Sequence, residues 1–176
     1  MTPFQKARAQ AAENRPAMAD LTAEVAEFFH VEAELLDDWR LGEWLDLLDA
    51  EIAYLVHPLD VRQDDPAKAL FLVADDRSRL ESRVAQLQGR TAWAENPRSR
   101  TRRLVTNVRA GLEPDGAVRG DANFAVYRFK NDQTDVYVGR YRYLLVRTAL
   151  GLRLRERSVI LDLEALRPQG KLSFIL

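Results

Sequence analysis

The chain holds few side chains suited to acid–base or metal chemistry. Its only histidines are His30 and His57, so a site built from two histidines and a carboxylate would need both. Either could serve as a general base. Each also has a plainer reading. His30 follows Phe29 in a helical pattern and reads as a partly buried helix histidine. His57 precedes Pro58 in a loop and reads as a surface residue. Asp37-Asp38, at the end of the same helical pattern, reads as a solvated pair rather than a catalytic dyad. The chain has no cysteine. It therefore has no thiol nucleophile, no cysteine zinc site and no cysteine ligands for an iron–sulfur cluster. No GxGxxG, GxxxxGK[ST], HExxH or GxSxG pattern occurs, which removes the nucleotide-loop, zincin and hydrolase-elbow readings. No catalytic, cofactor-binding or metal-binding residue is expected in this chain.

The remaining chemistry is cationic. Residues 91–108, TAWAENPRSRTRRLVTNV, carry Arg98, Arg100, Arg102 and Arg103 after Trp93 and the Asn96-Pro97 break. Such a cluster can bind phosphates, and the aromatics of Tyr127–Phe129 and Tyr141–Tyr143 could stack bases. The charge balance argues otherwise. Residues 1–88 hold 9 Lys+Arg and 18 Asp+Glu, net −9; residues 89–176 hold 17 and 9, net +8. With a pI near 6.2 the chain lacks the basic footprint of a nucleic-acid binder. Acidic helices on a basic sheet, or opposite charges meeting between subunits, account for the cluster better. Arginine and tryptophan are over-represented at protein interfaces. Trp93, Arg98, Arg100 and Arg102 are therefore expected at or beside a subunit contact. So is the apolar tail Leu172-Ser173-Phe174-Ile175-Leu176, whose Leu172, Phe174 and Leu176 share one side if extended; a buried tail is expected.

The elements that would position these residues divide at the arginine stretch. Residues 1–20 read as an arm. Residues 21–39 read as an amphipathic helix, with Leu21, Val25, Phe28, Phe29, Leu36 and Trp39 at three- and four-residue steps. Gly42 interrupts the pattern, and Glu43–Leu48 forms a short second helix. Glu51–Val56 reads as a strand, and Leu70–Val73 as a shorter one. Asp75 or Asp76 caps a third helix that runs to Gln88 and stops at Gly89. Four long strands follow: Arg102–Leu112, Ala122–Lys130, Asp135–Thr148 and Leu152–Leu163. Joined by short loops, they require an antiparallel sheet that curls. The class is α+β with helices on one face. In the third strand Tyr137, Tyr141, Tyr143 and Leu145 alternate with Val136, Val138, Arg140 and Arg142. Neither face is uniformly polar, so part of the second face is expected to be covered by another subunit.

A length of 176 residues, 47% hydrophobic and 30% charged, fits one globular domain, residues 21–176 after the arm. No apolar run is long enough for a membrane span, and the N-terminus lacks a secretory signal, which favours the cytoplasm.

Phe29–Val56, FHVEAELLDDWRLGEWLDLLDAEIAYLV, resembles the opening helices and first strand of the small (β) subunits of aromatic-ring-hydroxylating dioxygenases. Arg83–Val108, RVAQLQGRTAWAENPRSRTRRLVTNV, is similar to their most distinctive segment. Strand Val136–Val146, the terminal strand and the tail Lys171–Leu176 also fit. Residues 55–75 depart most, with Leu55 where an aromatic is frequent and His57 as an extra residue before Pro58. The resemblance implies a cystatin-like cone, a strongly curved antiparallel sheet with helices on its concave face. It implies a large (α) subunit carrying a Rieske 2Fe-2S cluster and a mononuclear iron, and three of each chain in a hetero-hexamer. It implies dihydroxylation of an aromatic ring with O2 and NADH electrons delivered by a reductase, often through a ferredoxin, with this chain structural. Two rivals remain at this stage: a stand-alone dehydratase, isomerase or cyclase on the same cone, and a nucleic-acid-binding module.

Overall fold

The computed structural model describes residues 15–58, 71–89, 95–162 and 172–176. Trp93, Leu70 and Gly170 lie outside the described residues. In chain order the elements are α1 (Arg15–Asp37), α2 (Leu41–Asp46), β1 (Leu48–Val56), β2 (Val73–Asp75), α3 (Arg77–Gln88), β3 (Arg100–Leu112), β4 (Val118–Lys130), β5 (Gln133–Thr148) and β6 (Gly151–Leu161).

Helix α1 buries Leu21, Val25, Phe28, Phe29, Leu35 and Leu36 along one stripe, the spacing expected of a helix with one covered face. It begins at Arg15 rather than Leu21, inside the segment read as an arm. It ends because Trp39 takes the left-handed conformation, φ 58°, and Arg40 N–H closes onto Leu35 C=O at 2.8 Å. Helix α2 starts at Leu41, so Gly42 lies within it rather than before it. Helix α3 matches its expected bounds: Asp76 caps it by accepting from Arg79 N–H at 2.9 Å, and Gly89 follows its last turn.

The strands form one curved six-stranded sheet in the order β2-β1-β6-β5-β4-β3. From β3 to β6 the sheet is an antiparallel meander. The β4–β5 turn has Asn131 and Asp132 at positive φ, as two-residue hairpins require. The β3–β4 turn uses Gly116 at φ 87°. The sheet is not wholly antiparallel, because β1 pairs with β6 in parallel, Tyr54 opposite Arg157 and Val56 opposite Val159. Parallel neighbours need a long crossover, and here β2, α3 and the meander supply it.

The helices pack inside the curve. At Gly120 an added Cβ would sit 2.8 Å from Val25 Cγ1 and 3.3 Å from the Phe29 ring, so the missing side chain lets α1 lie directly on β4. Phe29, Phe124, Tyr141 and Tyr143 stack beneath it, Phe124 and Tyr141 with centroids 4.0 Å apart. The tail enters the same core. Phe174, Ile175 and Leu176 are all buried by this chain, and Leu176 N–H donates to the Tyr54 hydroxyl at 3.1 Å. The tail is buried as expected; since the adjacent Phe174, Ile175 and Leu176 are all covered, it does not take the extended form in which only alternate residues would share the buried side.

Candidate functional site

Two surfaces compete as the site: the interior of the cone and the outer face of its sheet. The interior is built from strand positions whose parity points inward. Phe124, Val126 and Arg128 share the buried face of β4, and Asp135, Tyr137, Tyr141 and Tyr143 that of β5. Three polar clusters occupy it. In the first, Trp44 Nε1 donates to Glu32 at 3.0 Å, the Tyr143 hydroxyl donates to the same carboxylate, and Arg157 Nε donates to the Tyr143 oxygen at 2.7 Å. The Arg157 guanidinium also lies over the rings of Tyr54, Tyr141 and Tyr143. Burial alone would lower the Arg157 pKa. Glu32, followed by the surrounding tyrosines, outweighs it, and the pKa is raised. Burial pushes the Tyr143 hydroxyl well above its ordinary value and the Tyr141 hydroxyl up to about 12. Both tyrosines therefore keep their protons at neutral pH rather than acting as bases. Tyr143 is hydrogen-bonded to Glu32 and Arg157, while the buried Tyr141 hydroxyl has no hydrogen-bond partner among the described residues.

In the second cluster Arg128 bridges Glu95 at 2.8 Å and Asp135 at 2.9 Å. Ser99 and Ser173 hydroxyls also donate to Glu95. Burial works to raise the Glu95 carboxyl, but the hydrogen bonds from Ser173, Ser99 and Arg128 win and hold it below the usual carboxylate range. In the third, Asp37 accepts from Thr101 Oγ1 at 2.8 Å, from the Arg103 backbone N–H at 2.9 Å and from the Arg103 guanidinium, which also reaches Ile175 C=O. Asp37 is thus not a solvated residue: its side chain and that of Arg103 are 9% and 2% exposed. Asp38 is exposed, as expected. Between this cluster and the tail lies a recess of about 10 Å³ lined by Leu36, Trp39, Thr101, Arg103 and Phe174, room for about one water. The interior described here is filled by the chain's own side chains.

The histidines stand apart from these clusters. His30 is exposed on α1, which corrects its reading as partly buried. His57 is half-buried, edge-on to Phe71 at 5.0 Å, and burial lowers its pKa. With no cysteine in the chain, the donor set does not fit a Rieske cluster.

The outer face is different. Register places Arg102, Tyr127 and Val136 side by side, then Leu104, Ala125 and Val138, then Thr106, Asn123, Arg140 and Ile160. Leu104, Val136 and Val138 are 53%, 41% and 42% exposed. Arg100 and Arg102 flank this apolar centre on one side, Arg109, Arg140 and Arg142 on the other, all exposed. Beside Arg100 a groove of about 320 Å³ runs between the Pro97 loop and the β4–β5 turn, with Arg98 and Lys130 in its wall. The arginine cluster therefore divides. Arg103 points inward to Asp37, Arg98 stacks on the Trp39 ring at 5.4 Å, and Arg100 and Arg102 face out. Of the tail residues, Leu172 is half-buried while Phe174 and Leu176 are buried within their own chain. Sequence reasoning missed Glu32, Glu95, Arg128 and Arg157. The available signal was parity, since Arg128 shares a strand face with Phe124 and Val126.

A curved sheet wrapped over its helices defines the cystatin-like cone class. An NTF2-like protein with a cystatin-like fold from Novosphingobium aromaticivorans superposes with TM-score 0.54 at 16% identity, covering 89% of this chain and 87% of that one. A chain of naphthalene 1,2-dioxygenase with indole bound in the active site superposes with TM-score 0.80 at 22% identity over 100% of both chains. At that identity the likeness establishes the fold. Sequence goes further. The family described as ring hydroxylating beta subunit matches residues 31–168. The small oxygenase component of the p-cumate 2,3-dioxygenase system of Pseudomonas putida is 43% identical over 155 residues, 88% of this chain and 86% of that protein. The chain belongs to the β-subunit family of ring-hydroxylating dioxygenases.

Proposed function

We propose that this chain is the non-catalytic, structural small subunit of an aromatic-ring-hydroxylating dioxygenase. Its partner is a large subunit that holds a Rieske 2Fe-2S cluster and a mononuclear iron, and three copies of each chain assemble. In that complex the aromatic ring receives both atoms of O2, with electrons originating in NADH. The observation that carries the structural role is the packed interior of the cone among the described residues. Trp44, Tyr141, Tyr143, Arg157 and Leu176 occupy the space where an enzyme on this fold would need a cavity. Family membership does not favour the stand-alone dehydratase, isomerase or cyclase. The absence of cysteine supports placing the cluster in the other chain. Among the described residues no helix is long and apolar enough to cross a membrane.

Co-expression with the large subunit tests the proposal. The two chains should co-purify in equal amounts, with iron and ring-hydroxylating activity following the large chain. The small chain purified alone should carry no stoichiometric iron. One tightly bound iron per small chain, lost on His57→Ala, would overturn it.

A further inference from the structure

The outer sheet face and the outer stripe of α1 carry opposite charge in the same arrangement. Asp20, Glu24, Glu27, Val31, Glu34 and Asp38 follow one another at steps of four, three, four, three and four residues, one line along the helix surface. All six are exposed, Val31 at 37%. Residues 16–39 contain no lysine or arginine. The stripe therefore reads acid, apolar, acid. The outer face of the sheet reads base, apolar, base: Arg100 and Arg102, then Leu104, Val136 and Val138, then Arg140 and Arg142. The dimensions agree. From Glu24 to Asp38 the helix rises about 21 Å, and from Arg102 to Arg109 strand β3 spans about 23 Å. Some of these charges are engaged at home: Glu24 with Arg147 at 2.7 Å, Glu34 with Arg40 at 3.4 Å, and Arg142 with Asp121 at 4.0 Å, Asp121 lying between Arg109 and Arg142 on the sheet. Asp20, Glu27 and Asp38 make no ion pair among the described residues, and neither do Arg100, Arg102 and Arg140. The two surfaces lie on opposite sides of the molecule, because α1 packs on the inner face of the sheet against Gly120. One copy cannot bring them together.

We infer that the occupant of the outer sheet face is a second copy of this chain, docked through the acidic stripe of its α1. Such a contact uses two different patches, so it is heterologous, and it makes a ring when the rotation between copies closes, as a trimer requires. This rests on the trimeric assembly proposed above and supplies its geometry: each chain presents α1 to one neighbour and β3–β5 to the other. The arginines set register and salt dependence, while Val31 meets Leu104 and Val138.

Charge reversal on the purified full-length chain tests this by light scattering. Arg102→Glu with Arg140→Glu should drive the ring to monomer, and so should Glu27→Lys with Asp38→Lys, each weakening assembly at least about tenfold. All four changes together should restore the ring, because both patches then carry inverted but complementary charge. Raising salt should dissociate the wild-type ring, a measurement that needs no variant. Three results overturn the inference: a helix-reversed chain that assembles normally, a fourfold variant that folds by circular dichroism yet stays monomeric, or a wild-type chain that is monomeric at low salt. If any of these holds while the chain still co-purifies with its large subunit, the inference fails and the structural-subunit reading stands.

Discussion

Arg157 sits at 1% exposure with one carboxylate partner, Glu32, and three aromatic rings around its guanidinium. Removing one member of a buried pair leaves the other charged and uncompensated, which costs about 3–5 kcal/mol, whereas replacing both with apolar groups of similar volume is often neutral. Arg157→Met should therefore lower unfolding free energy by about 3–5 kcal/mol in urea titration, and adding Glu32→Met should recover part of that loss. Glu95 predicts a pH effect. Its folded pKa lies below the ordinary 4.5. Between that value and the folded pKa the unfolded chain binds more protons, so stability rises with pH there and is lost on acidification through the folded pKa. Thermal melts from pH 6 downward should show this acid loss, and Glu95→Gln should flatten it while lowering stability at neutral pH. The clusters behind these predictions were poorly legible in the sequence. Asp37 looked solvated because an acid at a helix end usually is, and its partner Arg103 comes from a strand far along the chain. Nothing local marked Arg128 and Arg157 as buried, because strands with mixed faces make it hard to see which parity points inward.

At the scale of elements, what was legible follows from local rules. The bounds of α3 emerged from an Asp cap and a Gly stop, and the four long strands emerged from their turn residues. The start of α1 was not legible, because residues 15–20 carry no apolar stripe and join the helix as its extension. Nor was the parallel pairing of β1 with β6, since strand pairing across a hundred intervening residues leaves no local mark. The tail was legible in outcome but not in geometry. Its apolar residues are buried as expected, yet Ile175 is covered as well as Phe174 and Leu176, in an irregular segment. Burying three large apolar side chains is worth about 4.5–9 kcal/mol, an upper bound. Deleting Leu172–Leu176 also removes the Leu176–Tyr54 hydrogen bond and the carbonyl that receives Arg103. That truncation should lower the melting temperature by well over 10 °C or prevent folding, since each kcal/mol moves a domain of this size by about 2–4 °C. Differential scanning calorimetry of the truncated chain decides it, and an unchanged midpoint would mean the tail adds nothing to the core.

For the whole molecule, the division of labour lies between a closed interior and a patterned exterior. The interior uses its buried ion pairs to hold α1, the Pro97 loop and the tail to the sheet, as Asp37–Arg103 and Glu95–Arg128 do. The exterior leaves Leu104, Val136 and Val138 in solvent, framed by arginines, and an antiparallel sheet with a truly solvated face would alternate cleanly toward polar residues. A chain that depends on a partner to cover this patch should respond in opposite ways to changes on its two faces. Val138→Asp places a charge at the centre of the outer patch without disturbing any buried contact, so its effect on the melting temperature should be that of an ordinary surface change, within about 0.5 kcal/mol. Assembly, followed by size-exclusion chromatography at low micromolar protein, should collapse, because a carboxylate desolvated without a partner costs far more than the lost apolar contact. Arg100→Ala with Arg102→Ala should weaken assembly in the same direction but less, since rim charges chiefly set association rate and salt dependence. Tyr143→Phe on the inner face should do the reverse, lowering the midpoint by the hydrogen bonds it makes to Glu32 and Arg157 while leaving the assembly of the folded fraction intact. Should Val138→Asp assemble like the wild type, the outer face is solvent-facing in the complex and the contacts must be sought elsewhere, first in the groove beside Arg98 and Lys130.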